Sequence, residues 1–255
     1  MSARRLEGLG IVVTRPKSAG EPLAAALARE GARTWLFPAL AIEDIEPDAA
    51  LRELLKDIAR FDLAIFVSAN AVEKGIAMTR RFASWPASLA VAAIGAATAE
   101  ALREHGVPHP VSPPQRHDSE GLLAMPQLRE VRGRNIIVFR GEGGRERLKE
   151  VLEERGAAVT YAQCYRRMRP ASDPTEVLAA LERGEAQAVG VLSGETLENF
   201  VAMTGDAATL RRATLVVPHE AIAAHPLAGR FAHVVVAGHG IEGLIDTLAQ
   251  VRATQ

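Results

Sequence analysis

A chain of 255 residues that is 48% hydrophobic and 24% charged, with a formal net charge of −1, has room for one large globular domain or two small ones. No run of Lys or Arg is long enough to argue for nucleic acid or an anionic membrane, although Arg166, Arg167 and Arg169 could serve an anionic small molecule. The longest uncharged stretch, 82–99, is broken by Pro86 and does not read as a membrane span.

Along the chain, short apolar runs alternate with amphipathic ones. Ile11–Thr14 predicts a strand and Glu21–Glu30 a helix, closed by Gly31. PALAIEDIEPD (38–48) is extended but polar and irregular. Ala64–Val67 and Leu89–Ile94 predict strands, followed by helices over Ala69–Met78 and Ala97–His105; a further helix is expected over Glu120–Arg129. Ile136–Phe139 predicts a strand, Arg145–Arg155 a helix closed by Gly156, and VTYAQCYRRMRP (159–170) a second polar, irregular stretch. Ala188–Leu192, Thr214–Val217 and His233–Val236 complete the strands, with a helix over Thr196–Ala202. This alternation predicts a doubly wound, flavodoxin-like α/β class, with parallel sheets covered by helices on both faces.

The chain repeats itself. Ser68, Glu73, Ala77, Met78 and Thr79 recur 125 positions later as Ser193, Glu198, Ala202, Met203 and Thr204. Ile11, Val13, Arg15, Leu23, Leu27, Gly31 and Ala32 recur at the same offset as Ile136, Val138, Arg140, Leu148, Leu152, Gly156 and Ala157. SEGLLAM at 119 echoes IEGLIDT at 241. A period this long means a duplicated domain-sized unit rather than a solenoid. The two polar stretches also correspond, and read as paired connectors, 39–47 and 159–170. One layout is exchanged, with 1–38 plus 171–255 as one domain and 48–158 as the other. Two sequential domains, 1–128 and 129–255, are the plainer alternative.

Familiar motifs fail. FRGEGGRER (139–147) suggests a phosphate loop, but Glu146 occupies the third glycine position and no acidic ribose partner follows. His105 and His109 are separated by Gly106 and Pro108, and the remaining histidines lack ligand spacing, so no metal is expected. Ser193 lacks the first glycine of a nucleophile elbow. The single cysteine, Cys164, excludes an internal disulfide and has no nearby histidine. The apolar run behind Arg4 and Arg5 is too short for a signal peptide, and a cytoplasmic protein is expected. What remains is a set of strand ends followed by small or polar residues: Thr14-Arg15, Ser68-Ala69-Asn70, Gly95 to Thr98, Ser119 to Gly121, Arg140-Gly141, Ser193-Gly194 and Pro218-His219. At the carboxyl edge of a parallel sheet, such loops offer N–H groups and hydroxyls to carboxylates or phosphates. Two such edges facing across a cleft would hold a large polyanion.

VTRP (13–16), FPALAIE (37–43), DLAIFVSANAVE (62–73), AIGAATAEALREHG (93–106), SEGLLA (119–124) and LKEVLEERGAAVTYAQCYRR (148–167) resemble the uroporphyrinogen-III synthase family, in order and over nearly the whole chain. The resemblance implies two α/β domains joined by a two-stranded connector, in the exchanged layout. It implies a hydro-lyase that cyclises hydroxymethylbilane, a linear tetrapyrrole polycarboxylate, through loss of water and inversion of the last ring. It implies no metal, no organic cofactor, no nucleic acid or membrane partner, and a monomer. Tyr165 matches the family's acid candidate, with Tyr161 as its competitor, and Ser193 matches a binding serine. The binding set expected is Thr14, Arg15, Ser68, Ala69, Asn70, Gly95, Thr98, Ser119, Gly121, Arg140, Gly141, Ser193, Gly194 and His219. Pro218-His219 departs from the family's Gly-x-x-Thr-Ala turn. A non-catalytic protein that binds a tetrapyrrole or another polyanion is the alternative; a flavodoxin-like nucleotide enzyme is weakened by the failed phosphate loops.

Overall fold

The computed structural model describes residues 4–144, 146–205 and 207–253. β1 (Gly10–Val13), α1 (Lys17–Arg29) and β2 (Arg33–Leu36) open the chain. There follow β3 (Ala41–Asp44), α2 (Ala49–Lys56), β4 (Leu63–Phe66), α3 (Ala69–Arg80), β5 (Ala90–Ala93), α4 (Ala96–Glu104) and α5 (Ser119–Leu123). β6 (Asn135–Gly141), α6 (Arg147–Glu154), β7 (Ala158–Met168), α7 (Thr175–Glu182), β8 (Ala188–Gly190), α8 (Gly194–Thr204) and α9 (Ala207–Leu210) come next. β9 (Thr214–Val217), α10 (Glu220–Ala223), β10 (His233–Val236) and α11 (Gly240–Ala253) complete the series. Packing divides the chain into two compact units, Met1–Ala41 with Met168–Gln255, and Ile42–Arg167. Arg145, where the sequence starts a helix, lies outside the described residues, as do residues 1–3 and 254–255.

The first unit holds a sheet of strand order β10-β9-β8-β1-β2, with every neighbouring pair parallel. β1 and β9 are buried along their whole length, as strands covered on both faces must be. Ile11 and Val13 join one apolar cluster with Leu23, Leu27 and Leu248, while Val12 joins another with Val189, Leu215 and Phe200. That split is the period-two alternation of a strand between two helical layers.

The second unit holds a sheet of order β3-β7-β6-β4-β5. β4 pairs in parallel with β5 and β6, and β6 with β7. Leu63 and Ile65 face one cluster; Ala64 and Phe66 face the other, where Phe66 stacks on Phe139 with centroids 4.6 Å apart.

Several residues that recur in the sequence perform the same local tasks in both units. Ser68 caps α3, its Oγ accepting from the Ala71 N–H at 3.0 Å, and Ser193 caps α8, accepting from the Thr196 N–H at 3.1 Å. At the far ends, Thr79 and Thr204 donate their buried hydroxyls to the carbonyls of Gly75 and Phe200, at 2.7 and 2.8 Å. Gly31 and Gly156 follow α1 and α6 with φ of 94° and 87°, the left-handed conformation that ends a helix.

Several elements differ from the sequence reading. The stretches 38–48 and 159–170, expected to be extended but irregular, contain the regular strands β3 and the eleven-residue β7. α2, α7, α9 and α10 were not expected, and neither β2 nor α11 was given bounds. The helix expected over Glu120–Arg129 stops at Leu123, and Pro126 restarts the chain as a short 3-10 turn, because proline cannot supply the N–H that a continuing helix requires.

Candidate active site

In the second unit, three strands bring one hydroxyl pair together. β7 pairs with β6 residue by residue from Asn135–Ala158 to Arg140–Gln163, then slips, so that Gly141 lies opposite Tyr165. Strict alternation would put Tyr165 on the face of Val159 and Tyr161. The slip turns it onto the opposite face, with Ala162 and Cys164. Its ring then lies over Gly141, where an added Cβ would stand 2.7 Å from the ring. Lacking that atom, β6 lets the phenol reach past it to the end of β4, where Tyr165 Oη and Ser68 Oγ share a hydrogen bond of 3.1 Å. Tyr165 is 1% exposed, whereas Ser68 is half-buried, so the serine is the side of the pair open to its surroundings.

The competing phenol is built differently. Tyr161 lies on the other face, half-buried, with the Arg140 guanidinium 4.3 Å above its ring. Its hydroxyl is shielded from solvent and has no hydrogen-bond partner among the described residues. Burial, assisted by the Glu146 carboxylate, pushes this phenol up to about 12, which makes it a poorer acid than an ordinary tyrosine.

The other expected residues of this unit fall into two groups. Ala69 and Asn70 open α3 beside Ser68, with Ala69 exposed. Gly95 packs against His117, close to the turn where Asp118 caps α5 by accepting from the Gly121 N–H at 2.8 Å; Ser119 begins that helix. Asp118 was not singled out from the sequence, although an Asp three residues before a glycine-bearing helical turn is a capping signal. Arg116, 2.7 Å away, holds its carboxyl below the usual range. Thr98 and Arg140 are instead turned inward, 4% and 6% exposed. Arg166, from the basic cluster, pairs with Glu142 at 3.0 Å.

The first unit carries the remaining candidates. Thr14 is fully buried and donates its hydroxyl to the Gly190 carbonyl at 2.6 Å, tying β1 to β8. Ser193 Oγ is occupied by the Thr196 N–H and hydroxyl, while Gly194 starts α8 half-buried. Arg15 and His219 line a cavity of ≈450 Å³ at the carboxyl edge. Leu192 and the loop Gly238-His239-Gly240 line it as well. That loop escaped the sequence reading, although it follows β10 as the other candidate loops follow their strands.

Buried titratable groups elsewhere are few. Burial pushes the Cys164 thiol up to about 12, away from the thiolate a nucleophile needs. Among the described residues, no group of three or more His, Cys, Asp or Glu side chains could hold a metal ion. No described helix is long and apolar enough to cross a membrane.

Two largely parallel α/β sheets built from one duplicated pattern, with hydroxyls, amides and an arginine at their carboxyl edges, define a class of α/β protein suited to an anionic organic ligand. The family model described as Uroporphyrinogen-III synthase HemD matches residues 21–246. The chain is 33% identical over 203 residues to the uroporphyrinogen-III synthase of Salmonella typhimurium, covering 77% of this chain and 80% of that one. It is 33% identical over 193 residues to the Escherichia coli enzyme of the same name, covering 75% and 78%. Among solved structures, a mutant uroporphyrinogen III synthase from Thermus thermophilus superposes with a TM-score of 0.64 at 20% identity, covering 97% of this chain and all of that one. The Helicobacter pylori uroporphyrinogen-III synthetase gives 0.63 at 12% identity, covering 97% and 99%. These structural likenesses speak for the fold. The chain belongs to the uroporphyrinogen-III synthase family.

Proposed function

We propose that the protein is a hydro-lyase that closes hydroxymethylbilane into uroporphyrinogen III. Water leaves the hydroxymethyl end, and the chain closes with its last ring inverted, through a spiro intermediate. Closure without inversion proceeds uncatalysed, so the enzyme's principal task is positioning. Loss of hydroxide calls for a proton donor, and Tyr165 takes that role, with Ser68 as the hydroxyl through which its proton reaches the substrate. The observation that carries this reading is the Tyr165–Ser68 hydrogen bond at the carboxyl edge of the second sheet. The carboxylate arms are held by the loops after the strands: Ser68 to Asn70, Gly95, Ser119 to Gly121 and Gly141 in one lobe, and Arg15, Ser193, Gly194 and His219 in the other. The lobes of this reading are 48–158, and 1–38 with 171–255, joined by 39–47 and 159–170. The protein acts as a cytoplasmic monomer without a cofactor.

Freshly prepared hydroxymethylbilane supplied to the purified protein, with the oxidised products separated by isomer, tests the proposal. Isomer III at a rate proportional to protein is expected. Isomer I alone, at the spontaneous rate, refutes it.

A further inference from the structure

The duplication lets one structural position be compared with its own copy. Arg15 and Arg140 are repeat mates, and Glu21 and Glu146 each stand six positions beyond them. In the second unit this pair closes on itself. Gly143 and Gly144 take φ of 70° and 96°, which folds the turn back over β6. Arg140 Nη1 then donates to Glu146 Oε1 at 3.0 Å and Nη2 donates to the Gly143 carbonyl, leaving the arginine side chain 7% exposed. α6 begins only after Glu146.

In the first unit the corresponding pair, Arg15 and Glu21, forms no ion pair among the described residues. Pro16, with φ of −47°, leads straight into a helix, and α1 starts at Lys17. Glu21 is carried one turn up that helix, where it pairs with Lys17 at 3.7 Å. Arg15 is left without a carboxylate among the described residues, and its Nε is shielded from solvent with no hydrogen-bond partner. Burial lowers its pKa, the sign of a guanidinium that lacks a compensating anion. It lines the ≈450 Å³ cavity, whose accessible apolar wall includes Leu192, Ile241 and Leu244, with His219 and His239 also lining it.

We infer that this cavity takes one pyrrole ring of a tetrapyrrole, its face on the leucines and a carboxylate arm on Arg15, and that Arg140 is the turn-holding copy of the same residue. The inference rests on the proposed function for the identity of the ligand. A shielded guanidinium without a partner gains more from an incoming carboxylate than one already paired, because the anion relieves a desolvation cost already incurred. The volume falls within the range of small-molecule sites, and an apolar interior with a few polar groups is their usual composition.

Isothermal titration of the full chain with uroporphyrin III, an octacarboxylate, tests the site. Arg15→Gln is expected to weaken binding by roughly ten- to a hundredfold, the range for a lost hydrogen bond to a charged group, at an unchanged melting temperature. Arg15→Lys should recover part of the loss, since it restores the charge without the planar fork. Arg140→Gln is expected to lower the melting temperature, because it opens the turn and strands Glu146. Wild-type affinity in Arg15→Gln overturns the inference. If the wild-type protein makes isomer III while Arg15→Gln binds normally, only this assignment falls. If the wild type makes isomer I alone yet Arg15→Gln loses affinity, the assignment stands and the proposed reaction falls.

Discussion

Tyr165→Phe separates proton donation from packing. The change removes one hydroxyl from a ring that is 1% exposed and leaves every ring contact in place, including the lie over Gly141. It breaks one hydrogen bond, of 3.1 Å, to Ser68 Oγ. Ser68 is not orphaned by that loss, because its oxygen still accepts from the Ala71 N–H at 3.0 Å. The stability cost is therefore that of one neutral hydrogen bond, about 0.5–1.5 kcal/mol, or a fall in Tm of roughly 1–6 °C for a chain of this size. General-acid assistance is typically worth about 10²–10⁴-fold. Spontaneous dehydration of the substrate already competes, so a slowing of isomer III formation of roughly ten- to a hundredfold is expected, at or just below that range. The assay is calorimetric unfolding alongside initial rates of isomer III, normalised to folded protein. Isomer I should accumulate in the variant. A lower Tm with an unchanged rate per folded molecule would refute the donor role and leave Tyr165 as a core residue.

Gly141→Ala sets a methyl group against the Tyr165 ring and should cost about 1–3 kcal/mol while displacing the hydroxyl from Ser68; a crystal structure of the variant with that 3.1 Å bond intact would contradict the geometry. Ser68→Ala and Ser193→Ala each remove a helix cap and should lower stability in urea titrations by about 0.5–2 kcal/mol, and Ser68→Ala should raise the proportion of isomer I further than Ser193→Ala does, because Ser68 is the serine bonded to Tyr165. Cys164 should label slowly with a disulfide reagent in the native protein at pH 8 and fast in denaturant. Its thiol holds its proton to about 12 when folded, against an ordinary value of 9.0. Above that ordinary value the unfolded chain loses a proton that the folded chain keeps, so stability falls as pH rises from about 9 to about 12, and Cys164→Ala should flatten that slope.

The central strands were legible because burial on both faces leaves an uninterrupted apolar run, as in IVV of β1 and LAIF of β4. Not every edge strand carries such a run. β2 reads RTWL, with Arg33 stacked on Trp35 and paired with Glu185 at 2.8 Å, and nothing in four such residues separates a strand from a loop. HVVV of β10 is as apolar as a central strand, yet it lies at the sheet's edge with Val234 exposed. The candidate loops were legible as small and polar residues after strand ends, but not the direction of their side chains. Thr14, Thr98 and Arg140 have the right chemistry at the right edge and are committed to the fold. The orientation of Tyr165 was illegible for a specific reason: it depends on a slip in pairing with β6, and a slip leaves no trace in the alternation of the strand that carries it.

The repeat itself helps to sort the residues. Where both copies perform the same local task, folding alone accounts for the recurrence. Ser68 and Ser193 cap equivalent helices, Thr79 and Thr204 close their last turns, and Gly31 and Gly156 end their neighbours. Such residues would be retained in any protein of this architecture, whatever it bound. Function should instead be sought where the copies part. The position 125 before Tyr165 is Leu40, which has no hydroxyl to give, so the phenol beside a capping serine exists in one unit only. Arg15 and Arg140 share a residue type and differ in whether a carboxylate answers them. The proposed substrate loses hydroxide from one end of a chain of similar rings. Under that proposal two equivalent donors would leave the choice of end to chance, whereas a single phenol would mark one end. Placing a second phenol by Leu40→Tyr therefore should add nothing to the rate of isomer III, because the first unit lacks both the bulge and the bare glycine strand that let Tyr165 reach its serine.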